Sequence, residues 1–203
     1  MNRLKINLAL LLMMLFLTLP ALAKNAEVIS AEKRVVDVTS NIVKLLEANQ
    51  SQYSQDESAL FSMVRKEVLP FIDFNAMSML TLGKYWRSTN PQQRIRFINA
   101  FREMLIRSYA KSMLDYTGAK IRGGNSAENT KPGYVIVRTV VTPKGGSPIA
   151  ANYSVRINSG DWKAYNVEID GINLITNFRT NFTREISEKG IEALITRLEK
   201  TGK

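Results

Sequence analysis

The sequence predicts an α+β fold, helices packed on a twisted antiparallel sheet, because its hydrophobic period changes twice along the chain. Apolar residues recur at steps of three and four through residues 28–117, alternate with polar ones from Gly118 to about residue 169, and return to helical steps after Gly171. Helices, then strands joined by short turns, then helices again argue against the alternating units of a parallel doubly wound sheet. A third observation concerns volume. Residues 69–116 hold Phe71, Phe74, Leu80, Trp86, Phe97, Phe101, Leu105 and Tyr109 among their large side chains, more bulk than one helix edge buries. That surplus reads either as a solid core or as an interior that is partly hollow and takes an apolar ligand.

The first 23 residues form a unit of their own. Arg3 and Lys5 precede an apolar run of about twelve residues from Leu8 to Leu19, and Ala21-Leu22-Ala23 gives a small-x-small pattern before Lys24. This is the signature of a cleaved secretory signal peptide, with cleavage after Ala23; a membrane-spanning helix needs about 20 apolar residues. Residues 24–203 are then expected to be one domain. No cysteine follows the run, so a lipid-modified N-terminus is excluded and the mature protein is expected to be soluble. Removing residues 1–23 takes away two of the 28 basic residues and none of the 18 acidic ones, leaving about +8. For an exported protein that balance points to anionic membrane surfaces and acidic protein faces, not nucleic acid, since each basic residue near an anionic leaflet gains about 1 kcal/mol. Cysteine and histidine are both absent, which removes disulfides, thiol chemistry, cysteine zinc sites and histidine triads.

The elements follow in order. Val28, Ala31, Val35, Val38, Ile42 and Leu45 mark an amphipathic helix to about Asn49. Residues 49–56, NQSQYSQD, read as a turn; Asp56 or Ser58 caps a second helix that ends at Pro70. Asp73 caps a short helix over residues 75–82, closed by Gly83. Thr89 or Asn90, ahead of Pro91, starts a long helix to about Thr117 whose stripe is Ile95, Ile98, Phe101, Leu105, Tyr109 and Met113. Strands are predicted over 134–142, 147–158 and 161–169, with an edge strand in 119–124 and a loop over 123–133. In the first of these, Val135, Val137, Thr139 and Val141 share a face. Ile172, Ile175, Phe178, Phe182 and Ile186 open a helix that breaks at Gly190, and Ile191, Leu194, Ile195 and Leu198 make the last one.

Chemistry-bearing constellations are sparse. Asp73 or Asp115 with Tyr109 or Tyr116 could form a carboxylate and phenol pair able to move a proton beside a carbonyl, but no nucleophile and base occur at a telling spacing. Glu168 and Asp170 are two carboxylates without further oxygen ligands, too few for a hard cation. Gly123-Gly124 lacks the spacing and lysine of a phosphate loop. No catalytic residue, metal or cofactor is expected.

Two blocks carry a resemblance to a known family. The first is Leu69-Pro70-Phe71-Ile72-Asp73-Phe74 with Leu82-Gly83-Lys84-Tyr85-Trp86, Arg96-Phe97 and the run from Phe101 to Ala110; the second is the run from Trp162 to Ile172, followed by Leu174 and Asn177-Phe178-Arg179 to Phe182. Together they resemble the MlaC family of periplasmic phospholipid-binding proteins, also called toluene tolerance proteins, over about residues 30–198. Asn166 departs from the aspartate expected there, which bears on one local hydrogen bond. The resemblance implies a fold similar to nuclear transport factor 2 (NTF2-like), with an apolar pocket between sheet and helices that shields acyl chains while the headgroup stays wet. It implies a periplasmic carrier, acting as a monomer, that exchanges phospholipid between an outer-membrane lipoprotein and porin complex and an inner-membrane ABC transporter with a lipid-binding subunit, touching membranes only transiently. The alternatives are an NTF2-like enzyme acting on a small molecule and a non-catalytic interaction module.

The pocket residues expected on this basis are Phe71, Phe74, Leu80, Trp86, Phe97, Phe101, Leu105, Tyr109, Val137, Val141, Tyr153, Val155, Val167, Ile169, Leu174 and Phe178. Two acyl chains of about 30 methylenes, at roughly 0.8 kcal/mol each, are worth about 24 kcal/mol out of water. That exceeds the practical affinity ceiling of about 18 to 21 kcal/mol. A carrier loads from one bilayer and unloads into another, so its interior need only match hydrocarbon. Met77, Met79, Met104 and Met113 would let such an interior accept chains of varied shape.

Overall fold

A long helix, α1 (Leu19–Ala48), lies across one face of an antiparallel sheet in the computed structural model, which describes residues 19–128 and 131–201. The basic start and most of the apolar run of the expected signal peptide lie outside the described residues. Among the described residues no helix is long and apolar enough to cross a membrane. α1 buries Ala31, Val35, Ile42 and Leu46, the recurrence expected of one helical face.

Residues 49–56 are not an open turn. They hold α2 (Gln50–Gln55), whose single apolar residue, Tyr53, is buried; one anchoring ring amid polar residues leaves no periodic signal. Asp56 caps α3 (Glu57–Met63) by accepting from the Ala59 amide. The helix does not stop cleanly at Pro70: it widens to a π turn over Val64–Val68, where the Leu69 amide reaches the Val64 carbonyl, then tightens to a 3₁₀ turn over Leu69–Phe71. Proline lacks the N–H that would continue the α ladder, and such changes of pitch absorb the loss. Asp73 caps α4 (Phe74–Leu82) as expected, and Gly83 with φ 53° closes it before a 3₁₀ turn over Gly83–Arg87.

Asn90, not Thr89, caps α5 (Pro91–Tyr109), in a full capping box with Gln93. Beyond Tyr109 the chain tightens to 3₁₀ over Lys111–Tyr116, so the α-helix is shorter than its apolar stripe implied. Its buried face is also turned from the expected one. Phe97, Ala100, Phe101, Met104 and Ile106 are buried, whereas Ile95 and Tyr109 are 61% and 46% exposed. The face is set by the packing of Phe97 and Phe101 on Phe182 and the last helix, and beside it Arg96 ion-pairs with Glu192 and Glu199 of that helix.

The sheet contains β1 (Lys120–Gly123), β2 (Ala127–Glu128), β3 (Tyr134–Thr142), β4 (Ile149–Asn158), β5 (Asp161–Ile169) and β6 (Ile172–Asn173). Their order is β1-β3-β4-β5-β6, with β2 also pairing β3, and every pairing is antiparallel. β2 lies inside the stretch expected to be a loop, and β4 begins two residues later than expected. Ile172 belongs to β6, not to a helix: Asp170 and Gly171, with φ 50° and 80°, make a two-residue turn that pairs Ile172 with Ile169. Helices α6 (Leu174–Lys189), capped by Asn173, and α7 (Ile191–Thr201) follow and pack with α4 and α5.

The core has distinct parts. α1 presses Ala31 and Val35 onto Val135, Val137 and Val155 of the sheet, with Trp162, Ala164 and Phe71 joining them. The helices α4 to α7 enclose a second cluster built on Phe97, Phe101, Phe182 and Leu194. A third joins the end of α1 to α2, α3 and α5 through Leu46, Tyr53, Leu60 and Ile106.

Candidate functional site

The sheet cluster and the helical cluster meet along a seam. Ile72, which bridges to Ala164 of β5 as a parallel pair, packs against both clusters, while Phe74 packs against the helical one. Seven expected pocket residues belong to the helical side: Phe97 and Phe101 with no exposed surface, and Phe74, Leu80, Trp86, Leu105 and Phe178 packed around them. Phe97 and Phe101 stack at 5.5 Å, and Phe178 meets Phe101 edge-on at 5.3 Å. Phe71, Val137, Tyr153 and Val155 stand on the sheet side. Val141 sits at the far end of the sheet with Ala119 and Ala151. Val167 and Leu174 are half-buried, and Tyr109 and Ile169 face solvent at 46% and 47% exposure. The structure thus places seven of the sixteen in the helical cluster, four in the cluster between α1 and the sheet and Val141 in a separate one, and leaves Val167, Leu174, Tyr109 and Ile169 outside these clusters.

A polar clamp ties the seam together. Asp73, 3% exposed, accepts from the Ala76 amide with one carboxylate oxygen at 3.0 Å; the other receives Arg156 Nε at 2.7 Å and Asn158 Nδ2 at 2.8 Å. Its own amide donates to the Ala164 carbonyl at 2.8 Å. The start of α4 is therefore pinned to β4 and β5 together. Burial opposes ionisation of Asp73, but the Ala76 amide, Arg156 and Asn158 outweigh it and hold the carboxyl below the usual range. An aspartate that spends both oxygens on three donors and whose pKa lies below its ordinary value is a structural anchor and a poor base, which weakens the proton-transfer reading of this residue. Arg156 also reaches the Tyr134 hydroxyl at 3.4 Å. On the sheet face under α1, burial pushes the Tyr153 hydroxyl up to about 12, with Tyr116 adding to the shift. Asn166 Oδ1 accepts from the Ile175 amide at 3.4 Å, so the asparagine keeps a local bond, although a long one.

Where the seam reaches the surface, a cleft of about 350 Å³ opens beside the clamp. Ile72, Phe74 and Ile98 give it an apolar wall, and Arg65, Arg102 and Lys163 give it positive charge. Asp73 lines it too, but that charge is already met by Arg156. A second cleft, about 420 Å³ between α1 and the β4–β5 turn, is different in kind. There Arg34 is met by Asp161 through two hydrogen bonds and Lys33 by Asp37, so its charges are internally balanced. Among the described residues no group of three or more acidic residues could hold a metal ion.

Sequence reasoning missed the clamp partners Arg156 and Asn158, and the cleft cations Arg102 and Lys163. Each reaches the site from an element distant in sequence, and no local spacing marks them. Asp73, through its cap position, and Phe74, among the expected pocket residues, were legible.

Comparison with known proteins agrees with this architecture. The phospholipid-binding protein of Ralstonia solanacearum, solved in complex with a phospholipid, shares the fold with a TM-score of 0.78 at 22% identity, over 85% of this chain and 97% of that one. The intermembrane phospholipid transport system binding protein MlaC of Haemophilus influenzae is 28% identical over 159 residues, 77% of this chain and 74% of that protein. Toluene tolerance protein ttg2D of Pseudomonas putida is 27% identical over 158 residues, 77% of this chain and 73% of that protein. The model of the MlaC protein family matches residues 36–200, a span that contains the clamp, the cleft and both sides of the seam, and the chain belongs to that family.

Proposed function

We propose that this protein is a periplasmic phospholipid carrier that accepts acyl chains along the seam between its sheet and its helical layer. The observation that carries this reading is that two apolar clusters meet at Ile72 and open to the surface at a cleft that is oily on one wall and cationic on the other. That is the arrangement an amphiphile needs. Acyl chains entering there exchange contact with bilayer hydrocarbon for contact with the phenylalanine cluster, so the cost is the rearrangement of packed side chains, not exposure to water. Export with cleavage after Ala23 places the mature chain between the two membranes. Its exchange partners on this reading are an inner-membrane ABC transporter with a lipid-binding subunit and an outer-membrane lipoprotein and porin complex. The family and the names of its curated relatives support the reading.

Protein purified from cells and sprayed under gentle native conditions is expected to carry a phospholipid-sized mass adduct. Its consistent absence, with a folded protein by circular dichroism, overturns the carrier reading.

A further inference from the structure

We infer that the cleft at the mouth of the seam is a binding site for the phosphate group of the carried lipid, with Arg102 and Lys163 as its ligands. The inference rests on the carrier reading above and adds a headgroup contact to it.

The cleft carries unmatched positive charge. Three cations line the cleft. Arg65 is met by Glu103 at 2.5 Å. Arg102 and Lys163 have no acidic partner among the described residues, although Arg102 is far from loose: its guanidinium lies 5.1 Å from the centre of the Phe74 ring. Stacking of this kind holds the planar fork in place and leaves its edge donors free. Lys163 comes from β5 and Arg102 from α5, so two different elements bring charge to one cleft. Asn75 and Asn158 add amide groups to the same wall. Asp73, the one carboxylate present, spends both oxygens on Ala76, Arg156 and Asn158 and does little to repel an anion. In the cleft beside α1, by contrast, Arg34 and Lys33 are met by Asp161 and Asp37.

Phe74 links the two halves of the idea. It lines the cleft, carries Arg102 on its face, and packs into the helical cluster. A lipid whose chains lie along that cluster would have its phosphodiester within reach of a fork and an ammonium, which together suit a singly charged phosphodiester.

The test separates headgroup from chains. Lipid-stripped protein is incubated with mixed vesicles of phosphatidylglycerol and diacylglycerol of identical acyl chains, and the loaded lipid is identified by native mass spectrometry. Wild-type protein is expected to load phosphatidylglycerol in preference. In R102Q/K163Q that preference should fall about tenfold for each cation removed, about 1.4 kcal/mol apiece, while loading from vesicles enriched in diacylglycerol stays intact and reports a folded, competent interior. R102K/K163R, which keeps both charges, should retain most of the preference. K33Q/K44Q, which removes two cations outside the cleft, should leave it unchanged. An unaltered preference in R102Q/K163Q overturns the site. So does an equal loss in K33Q/K44Q, which would assign the effect to general attraction toward an anionic vesicle. A phosphorus NMR signal showing inorganic phosphate held by Arg102 and Lys163, with no effect of the variants on lipid choice, would give the cleft to the free anion and overturn the headgroup assignment. Failure of the wild-type protein to load either lipid would overturn the carrier reading itself, and the site with it.

Discussion

At the scale of single residues, Asp73 carries the most structural consequence. Its lowered pKa has a definite sign in stability: a carboxyl that is harder to protonate when folded contributes stability above its unfolded pKa near 3.8 and loses it as pH falls through the folded value. D73N is expected to cost about 2 to 3 kcal/mol at pH 7, because it leaves a partly buried Arg156 without its counter-charge. It should also flatten the loss of stability below about pH 4, and urea unfolding of both proteins at pH 3 and pH 7 measures both effects. The phenylalanine cluster gives a second contrast. F101A, at a residue with no exposed surface, should destabilise by about 3 to 5 kcal/mol. Y109A, at a residue 46% exposed, should stay within about 0.5 kcal/mol of wild type in the same assay.

At the scale of elements, the start of α5 is the clearest local design. The Asn90 side chain accepts from the Gln93 amide while Gln93 returns a bond to the Asn90 amide, with Pro91 in the first turn. N90A is expected to cost about 1 kcal/mol, read as a drop in thermal midpoint. α5 deserves its cap, since it supplies Phe97 and Phe101 to the core and Arg102 to the cleft. Gly83 is the other decisive position. With φ 53° and ψ −121° it ends α4 in a conformation open only to glycine at low cost. A Cβ there would meet nothing nearer than 3.5 Å, so the penalty of G83A is backbone strain and not a clash.

At the scale of the whole molecule, the proposed carrier function asks how packed layers could part to admit lipid. Phe97, Phe101, Val137 and Val155 have no exposed surface, and the clamp at Asp73 holds the helical layer to β4 and β5. On the proposed reading, loading separates packed layers, and its rate depends on what holds them. Removing one of the three donors to Asp73 with N158A should lower stability by about 1 kcal/mol. The same change should speed phospholipid transfer between donor and acceptor vesicles. Slower or unchanged transfer in N158A, with binding intact, would show that layer separation at this clamp does not limit exchange.

Much was determined by sequence alone, because the signals concerned are local. The broad order of helices and strands, the cap at Asp73, the pairs of candidate caps that held Asp56 and Asn90, and the shared face of Val135, Val137, Thr139 and Val141 all follow from spacing and from side chains bonding their own neighbours. The two motif blocks placed the chain in its family for the same reason. What tertiary structure alone decided depends on residues far apart in the chain. The buried face of α5 is set by Phe97 and Phe101 meeting Phe182, and Arg156 and Asn158 reach Asp73 from 83 and 85 residues away. The surplus charge of Arg102 and Lys163 arises because the fold brings both to one cleft where, among the described residues, no carboxylate pairs with either. A charge is paired or unpaired by what lies across a gap in space, and no reading of period along the chain contains that distance.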